Sequence, residues 1–313
     1  MTNRRLKVAV LAGGIGDERE ISLQSGRCVA EALVEAGFDV VTADVGPDDL
    51  EALRDKSIDV FFPALHGKFG EDGTLQQILE DESRLYTGSG PIASKLAFDK
   101  MACKELFEDV GAAVPKAIEF RPESDVEQIE RQLCQFAGKC VVKPVTQGSS
   151  VGIYIVSTPA EALEAAPKVL DRFGDCMIEE FIPGQEVTVG ILGEHTLPII
   201  EIRTHSAFYD YRAKYVDERT EFLFDTVADP GVAADISRAA MDCFTALGCR
   251  HFGRIDFILG DDGTAHILEV NTIPGFTTHS LLPKAAARAG LSMSDLCASI
   301  ARTAYSSTVS RNA

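Results

Sequence analysis

The stretch Arg254–Asn271, reading RIDFILGDDGTAHILEVN, constrains the fold more than any other part of the chain. Asp262-Gly263 separates two apolar runs and predicts a type I′ hairpin turn. With those two residues at the turn, Asp261 pairs with Thr264. Counting outward then sets Asp256 directly opposite Glu269 and Arg254 opposite Asn271. Side chains alternate across a strand, so these four share one face, while Ile255, Phe257, Leu259, Leu268 and Val270 form the core face. Two carboxylates opposed across a ladder repel, and a divalent cation between them removes that cost. Hard oxygen donors suit Mg²⁺, which takes one or two carboxylates and completes its shell with phosphates and water. A solvated polar face is the plainer interpretation, but the matched register favours a metal site.

At 313 residues the chain exceeds one ordinary core and suits two or three units. The formal charge of −18 argues against a general nucleic-acid or anionic-membrane binder. An anionic ligand therefore needs local cations or a metal. No apolar run is long enough to span a bilayer. The N-terminus lacks a signal-peptide pattern. Eight cysteines occur without any Cys-x-x-Cys, mostly in apolar company, and are expected to be reduced thiols of a cytoplasmic protein.

The first third alternates strand and helix: strand 6–12, helix 21–36, strands 38–44 and 60–63. This predicts a small parallel sheet with crossover helices. Pro91 and a helical run over 92–110 mark a boundary. A second unit holds strands 116–120, 140–143, 153–156 and 176–180 with helices 125–137 and 159–172. The last unit holds strands 186–192 and 196–202, an aromatic loop, helix 235–247, the hairpin and two terminal helices. The class is α/β, turning to α+β in the later units.

Four motifs carry chemistry. Leu11-Ala-Gly-Gly-Ile-Gly-Asp-Glu-Arg-Glu20 follows a strand, but Arg19 stands where a dinucleotide fingerprint requires Gly or Ala. What remains is a glycine turn exposing Glu18 at a strand end, or Glu18 simply favouring a helix start. Lys143-Pro-Val-Thr-Gln-Gly-Ser-Ser-Val-Gly152 places a lysine at a strand end before a Gly/Ser loop, a pattern able to fold over phosphates. Lys100, early in a helix, is a weaker candidate for the same anion. His66, in Ala64-Leu-His-Gly67 before Gly70-Glu-Asp-Gly73, occupies a strand end like Glu18; a lone histidine is more often structural. Phe208-Tyr-Asp-Tyr-Arg-Ala-Lys-Tyr215 offers Lys214 and Tyr215 for a lid, or plain aromatic packing.

In their order and spacing these stretches resemble the D-alanine–D-alanine ligase family of the ATP-grasp superfamily, from Glu18-Arg-Glu-Ile-Ser22 to Asn271-Thr-Ile-Pro-Gly-Phe-Thr-Thr-His-Ser-Leu281. The resemblance implies three domains: an N-terminal substrate domain over 1–98, a central lid domain over 99–185 and a C-terminal domain over 186–313 with the metal and catalytic residues. It implies ATP-dependent joining of two D-alanines into D-alanyl-D-alanine, for peptidoglycan precursors, through an acyl phosphate. Glu18, Ser149, Tyr215 and Arg254 are then the catalytic residues. His66 serves the first D-alanine; Gly275, Ser280 and Leu281 serve the carboxylate of the second. Lys100 and Lys143 serve the phosphates, Glu179, Glu180, Phe181 and Ile182 the base, Glu186 the ribose, and Lys214 is a further cofactor-binding residue. Asp256, Glu269 and Asn271 are the metal ligands, for two Mg²⁺ ions with Mn²⁺ as a substitute. The resemblance also implies a cytoplasmic homodimer that binds neither nucleic acid nor membrane. After Tyr215 the chain departs from the family's polar loop, which bears on the lid and on whether the acceptor is D-alanine, D-serine or D-lactate.

Overall fold

The computed structural model describes residues 4–16, 18–204 and 219–309. Strands β1 (Lys7–Gly13), β2 (Asp39–Val45) and β3 (Val60–Pro63) form a parallel sheet in the order β2-β1-β3. The central strand is apolar on both faces, as a doubly covered parallel strand must be. Val8 and Val10 pack into one core with helix α1 (Arg19–Glu35); Ala9 and Leu11 pack into another. Helix α1 buries Ser22, Ser25, Gly26, Val29, Ala32 and Leu33, a single stripe at helical spacing. It stops at Gly37, whose φ of 85° lets its N–H and that of Phe38 return to the carbonyls of Val34 and Leu33.

Helix α2 (Thr74–Asp81) follows β3, and the expected helix over 92–110 is two helices, α3 (Pro91–Phe98) and α4 (Lys100–Asp109). Asp99 leaves the helical conformation and accepts the N–H groups of Met101 and Ala102, each at 3.0 Å. A strong N-cap therefore overrides continuous helical spacing. The break makes Lys100 the first residue of α4.

The second sheet is antiparallel, ordered β4-β7-β5-β6, from β4 (Ala117–Glu119), β5 (Cys140–Lys143), β6 (Tyr154–Val156) and β7 (Met177–Glu180). Helices α5 (Val126–Leu133) and α6 (Pro159–Phe173) cover the face formed by Cys140, Val142 and Ile178. Alternation turns Lys143 and Glu179 to the opposite face.

The third sheet runs β11-β10-β8-β12-β13, with β9 also on β8. Its strands are β8 (Gly184–Leu192), β9 (His195–Thr196), β10 (Ile200–Arg203), β11 (Glu221–Phe224), β12 (Phe252–Gly260) and β13 (Ala265–Asn271). The expected strand over 196–202 is divided around Pro198, which cannot donate to a ladder. The β11 segment, read from sequence as loop, pairs antiparallel with β10. Helix α7 (Pro230–Ala246) packs with α4 on the face formed by Val187, Val189, Ile255, Phe257 and Val270. Helices α8 (Leu281–Arg288) and α9 (Met293–Val309) join α1 beside the other face. Among the described residues no helix is long and apolar enough to cross a membrane.

The hairpin reaches the expected register by a different route. Gly260 and Thr264 close a three-residue loop, with Gly263 left-handed at φ 81°, instead of a two-residue type I′ turn. Leu259 therefore pairs with Ala265, one residue out of the sequence-derived count. A bulge at Leu268 absorbs the offset, and beyond it Asp256 faces Glu269 and Arg254 faces Asn271. Ile267, not Leu268, fills the core, and Leu268 lines a cleft instead.

Candidate active site

The ends of β1 and β3, the loop after β5 and the polar face of β12–β13 surround one cleft of about 920 Å³, open to solvent. Glu18, His66, Lys100, Ser149, Arg254, Glu269, Asn271, Gly275, Ser280 and Leu281 all line it. A second cleft of about 500 Å³ shares Lys100 and Glu269 and adds Lys143, Glu186 and Asp256. Residues scattered along the chain thus meet in one place, on the polar face of the hairpin, in the loops that follow strands and at the starts of three helices.

Glu18 is the N-cap of α1 and is 8 % exposed. Its Oε1 accepts the Ser149 hydroxyl, joining the first sheet to the glycine loop. The backbone fits tightly around this carboxylate. At Gly67, where φ is 69°, a Cβ would come 2.8 Å from Glu18 Oε2. Ser149 and Ser150 both hold left-handed backbone, φ 52° and 56°, uncommon for residues other than glycine.

His66 lies behind this pair. Its Nδ1 is 3.3 Å from Glu71 Oε1 and its Nε2 3.3 Å from Ser25 Oγ. Burial alone would lower its pKa, yet the Glu71 and Glu18 carboxylates outweigh burial and raise it above the usual histidine value. Glu71 also accepts the Gly67 N–H at 2.9 Å. Ser25 accepts the Phe276 N–H at 3.3 Å, connecting the histidine to the Gly275 turn. Neither Glu71 nor Ser25 stands out in the sequence as a site residue. Glu71 was legible as the acid of Gly70-Glu-Asp-Gly73, whereas Ser25 depends on a contact 251 residues away.

On the hairpin, Arg254 grips Asp256 through two bonds, Nε to Oδ1 at 2.8 Å and Nη2 to Oδ2 at 2.7 Å. Thr188, opposite Asp256 on β8, donates to Oδ1 at 2.5 Å. Lys100 Nζ lies 3.2 Å from Glu269 and donates to the Gln147 carbonyl at 2.7 Å, which ties the glycine loop to the hairpin. Asn271 Oδ1 accepts the Ile273 N–H at 3.0 Å, which orients the amide oxygen. Among the described residues no three His, Cys, Asp or Glu side chains form a metal cluster. The donor set is two carboxylates and an amide oxygen. It fits a hard divalent cation, which takes oxygen ligands of this kind, although in this structure Arg254 and Lys100 already supply positive charge to the two carboxylates.

The nucleotide-side residues are arranged less directly. Glu179 is 2 % exposed, between Lys104 Nζ on Oε1 and Lys143 Nζ on Oε2, each at 2.6 Å. Burial would raise its pKa, but Lys143 and Lys104 outweigh burial and hold it below the usual glutamate value. Lys104, one turn after Lys100 on α4, carries no mark of this role in the sequence. Glu180 turns the other way and accepts the Ala137 N–H at 2.8 Å. Phe181 N–H bonds the Lys139 carbonyl at 3.0 Å, and Ile182 packs near Gly260. None of Glu179–Ile182 lines either cleft. Lys214 and Tyr215 lie outside the described residues.

Ser280 is the N-cap residue of α8, but its side chain turns back from the helix, its Oγ accepting the Thr277 N–H at 2.9 Å. The first N–H groups of α8, from Leu281 onward, give the cleft the partial positive charge of a helix start. The chemistry available is therefore an acidic group beside a hydroxyl, cations and hard oxygens on the hairpin face, and a helix N-terminus that the Gly275 turn links to Ser25 and His66.

Known proteins share this chain's sequence pattern and fold. The family model for the D-ala D-ala ligase C-terminus matches residues 106–302, and that for the N-terminus matches 46–89. The D-alanine–D-alanine ligase of Anaeromyxobacter sp. (strain K) is 42 % identical over 291 residues, 93 % of this chain and 94 % of the relative. That of Thermotoga petrophila is 39 % identical over 305 residues, covering 96 % and 98 %. Among solved structures, the D-alanine–D-alanine ligase from Bacillus anthracis complexed with ATP superimposes with a TM-score of 0.85 at 31 % identity, covering 99 % of this chain and all of that one. The VanG D-Ala:D-Ser ligase from Enterococcus faecalis gives 0.84 at 29 % identity, covering 96 % and 100 %.

Proposed function

The chain belongs to the D-alanine–D-alanine ligase family and forms D-alanyl-D-alanine for peptidoglycan precursors; we propose that it does so through an acyl phosphate, with the work divided among the cleft residues as follows. ATP binds between the four-stranded and six-stranded sheets. Lys143 and Lys100 face its phosphates, Glu186 its ribose and the Glu179–Ile182 segment its base. The carboxylate of the first D-alanine attacks the γ-phosphorus; its oxygen gains the phosphoryl group and ADP leaves. The amine of the second D-alanine then attacks the acyl carbon, loses a proton and expels inorganic phosphate.

Each cleft residue has a role suited to its surroundings. Glu18 is an anion beside His66 and Ser149, so it suits the ammonium of the first D-alanine. Ser149, on the loop that bridges the sheets, positions the reacting groups together with Glu18 and Tyr215. Arg254 is preorganised by Asp256 and stands where charge develops on the acyl oxygen. Gly275, Ser280 and Leu281 receive the carboxylate of the second D-alanine. Lys214 joins the cofactor-binding residues.

Asp256, Glu269 and Asn271 hold two Mg²⁺ ions, with Mn²⁺ as a substitute. When bound, these ions neutralise the phosphate oxygens and the opposed carboxylates. The domains divide at 1–98, 99–185 and 186–313, and the enzyme works as a cytoplasmic homodimer.

The observation that carries this reading is the single cleft where Glu18, Ser149, Lys100, Arg254 and Glu269 meet, drawn from all three sheets. Product analysis with ATP, Mg²⁺ and D-alanine tests it. ADP, phosphate and dipeptide should appear in equal amounts. AMP and pyrophosphate as products would rule out the acyl phosphate.

A further inference from the structure

Lys143 has a conflict of duties. It lines the cleft beside Glu186 and Asp256, where a phosphate is to be met, yet its ammonium is 2.6 Å from the buried Glu179 carboxylate. If Lys143 turned to a phosphate and nothing else held Glu179, a buried carboxylate would be left without a cation, which is strongly unfavourable. Lys104 supplies the missing charge. It is 2.6 Å from the other oxygen of Glu179 and also donates to the Pro115 carbonyl at 2.9 Å. It lines neither cleft and is 7 % exposed. The two lysines therefore differ: Lys104 is anchored twice on the closed side, whereas Lys143 is on the cleft side with Glu179 as its ion-pair partner.

We propose that Lys104 is a positioning residue, the standing counter-ion of Glu179, and that it releases Lys143 to the nucleotide phosphates. The proposal rests on the reading of Lys143 as a phosphate contact. Lys104 touches neither substrate nor reacting atoms. Its effect is to make the Lys143–Glu179 pair expendable when nucleotide arrives and to keep Glu179 fixed on the base-binding side. Without Lys104, nucleotide has to break the only ion pair holding a buried carboxylate.

A double-mutant cycle on the full chain, with AMP-PNP affinity read by calorimetry, tests this. Lys104→Met should weaken AMP-PNP binding by about tenfold or more, the scale of one close charge pair, while KM for the first D-alanine stays nearly constant. In a Glu179→Gln background the same change should alter AMP-PNP affinity by less than about threefold, since no carboxylate remains to be balanced. Unchanged affinity in Lys104→Met, or an equal loss in both backgrounds, overturns the proposal. If Lys104→Met alone fails to fold, the comparison is Glu179→Gln against Lys104→Met/Glu179→Gln. Similar binding by those two supports the counter-ion role, and a further tenfold loss overturns it. Lys143→Met separates the underlying reading: if it binds AMP-PNP like wild type, the phosphate contact itself is wrong, whereas a loss there without one in Lys104→Met defeats only the role of Lys104.

Discussion

Glu18 at the start of the first helix accepts the hydroxyl of Ser149, 131 residues further along the chain. This bond draws the glycine loop of the second sheet onto the first. Lys100 makes the corresponding link to the third sheet, donating to Gln147 and pairing with Glu269. The loop is thus held from both sides at its polar atoms, and its conformation includes two left-handed serines that a free loop would tend to avoid.

The Ser149 hydroxyl and the Ser149 backbone can be separated experimentally. Ser149→Ala and Ser149→Gly both remove the hydroxyl, and both should lower kcat by roughly a hundredfold, the cost of misplacing a reacting group by about an ångström. Only the glycine variant relieves the positive φ, so it should be more stable than the alanine variant by about 1 kcal/mol. Steady-state kinetics and denaturant unfolding on both proteins check this. Activity that follows stability across the pair would mean that the hydroxyl is not what matters.

Much of this site was legible before folding, and the reasons for the exceptions are physical. The Asp256–Glu269 pairing follows from strand alternation, yet it survived an incorrect turn only because the Leu268 bulge restored the register. A turn signal such as Asp-Gly does not separate a two-residue loop from a three-residue loop with a left-handed glycine. The helix break at Asp99 was available as an N-cap signal, but unbroken apolar spacing masked it. Ser25, Lys104 and Thr188 are different. Each acquires its role from a partner distant in sequence, and nothing in its own neighbourhood marks it.

Glu269→Gln should abolish ligation while leaving the apo fold nearly as stable as wild type. The change removes the charge that pairs with the buried Lys100, but the amide oxygen remains an acceptor and Lys100 keeps its bond to the Gln147 carbonyl. It also removes repulsion from Asp256 directly opposite, which offsets part of the loss. Mg²⁺-dependent stabilisation in a thermal melt with nucleotide present is the second readout. A variant that keeps both turnover and that stabilisation would remove Glu269 from the metal site.

His251 gives the fold a weakness towards acid. It sits at φ 68°, buried, with Nδ1 accepting the Gly88 N–H at 3.1 Å while the neighbouring Arg250 Nε donates to the Gly88 carbonyl at 2.9 Å. Burial, with Arg250 nearby, pushes its pKa down to about 4. The unfolded chain takes up this proton near pH 6.5 and the folded chain does not. The contribution is therefore complete above about pH 6.5 and is lost as pH falls towards 4, by on the order of 3 kcal/mol. His251→Asn keeps an acceptor and tolerates the left-handed backbone but does not titrate. Its unfolding free energy should fall less than that of wild type between pH 7 and pH 5. Parallel pH dependence in the two proteins would contradict this account.

The acceptor should reveal itself through pH as well. Only an unprotonated amine can attack the acyl phosphate, whereas a hydroxyl acceptor has no such requirement in this range. Ligation to D-alanine should therefore rise between pH 6 and pH 8, with D-lactate a poor acceptor throughout. On the proposed role of the start of α8 as the acceptor's carboxylate site, either compound fits it equally, and the discrimination acts at the nucleophile. Tyr215, outside the described residues, is the side chain expected to favour the amine. D-Serine offers the same amine with one added hydroxyl, and the similarity to a D-Ala:D-Ser ligase makes it the informative competitor. A competition among D-alanine, D-serine and D-lactate at several pH values, with products resolved by mass, measures all three together. D-Alanyl-D-alanine should dominate at every pH, and any D-serine product should rise in parallel with it, since both nucleophiles are amines. An ester as the main product at neutral pH would reverse the acceptor assignment and leave the phosphoryl-transfer half of the mechanism intact.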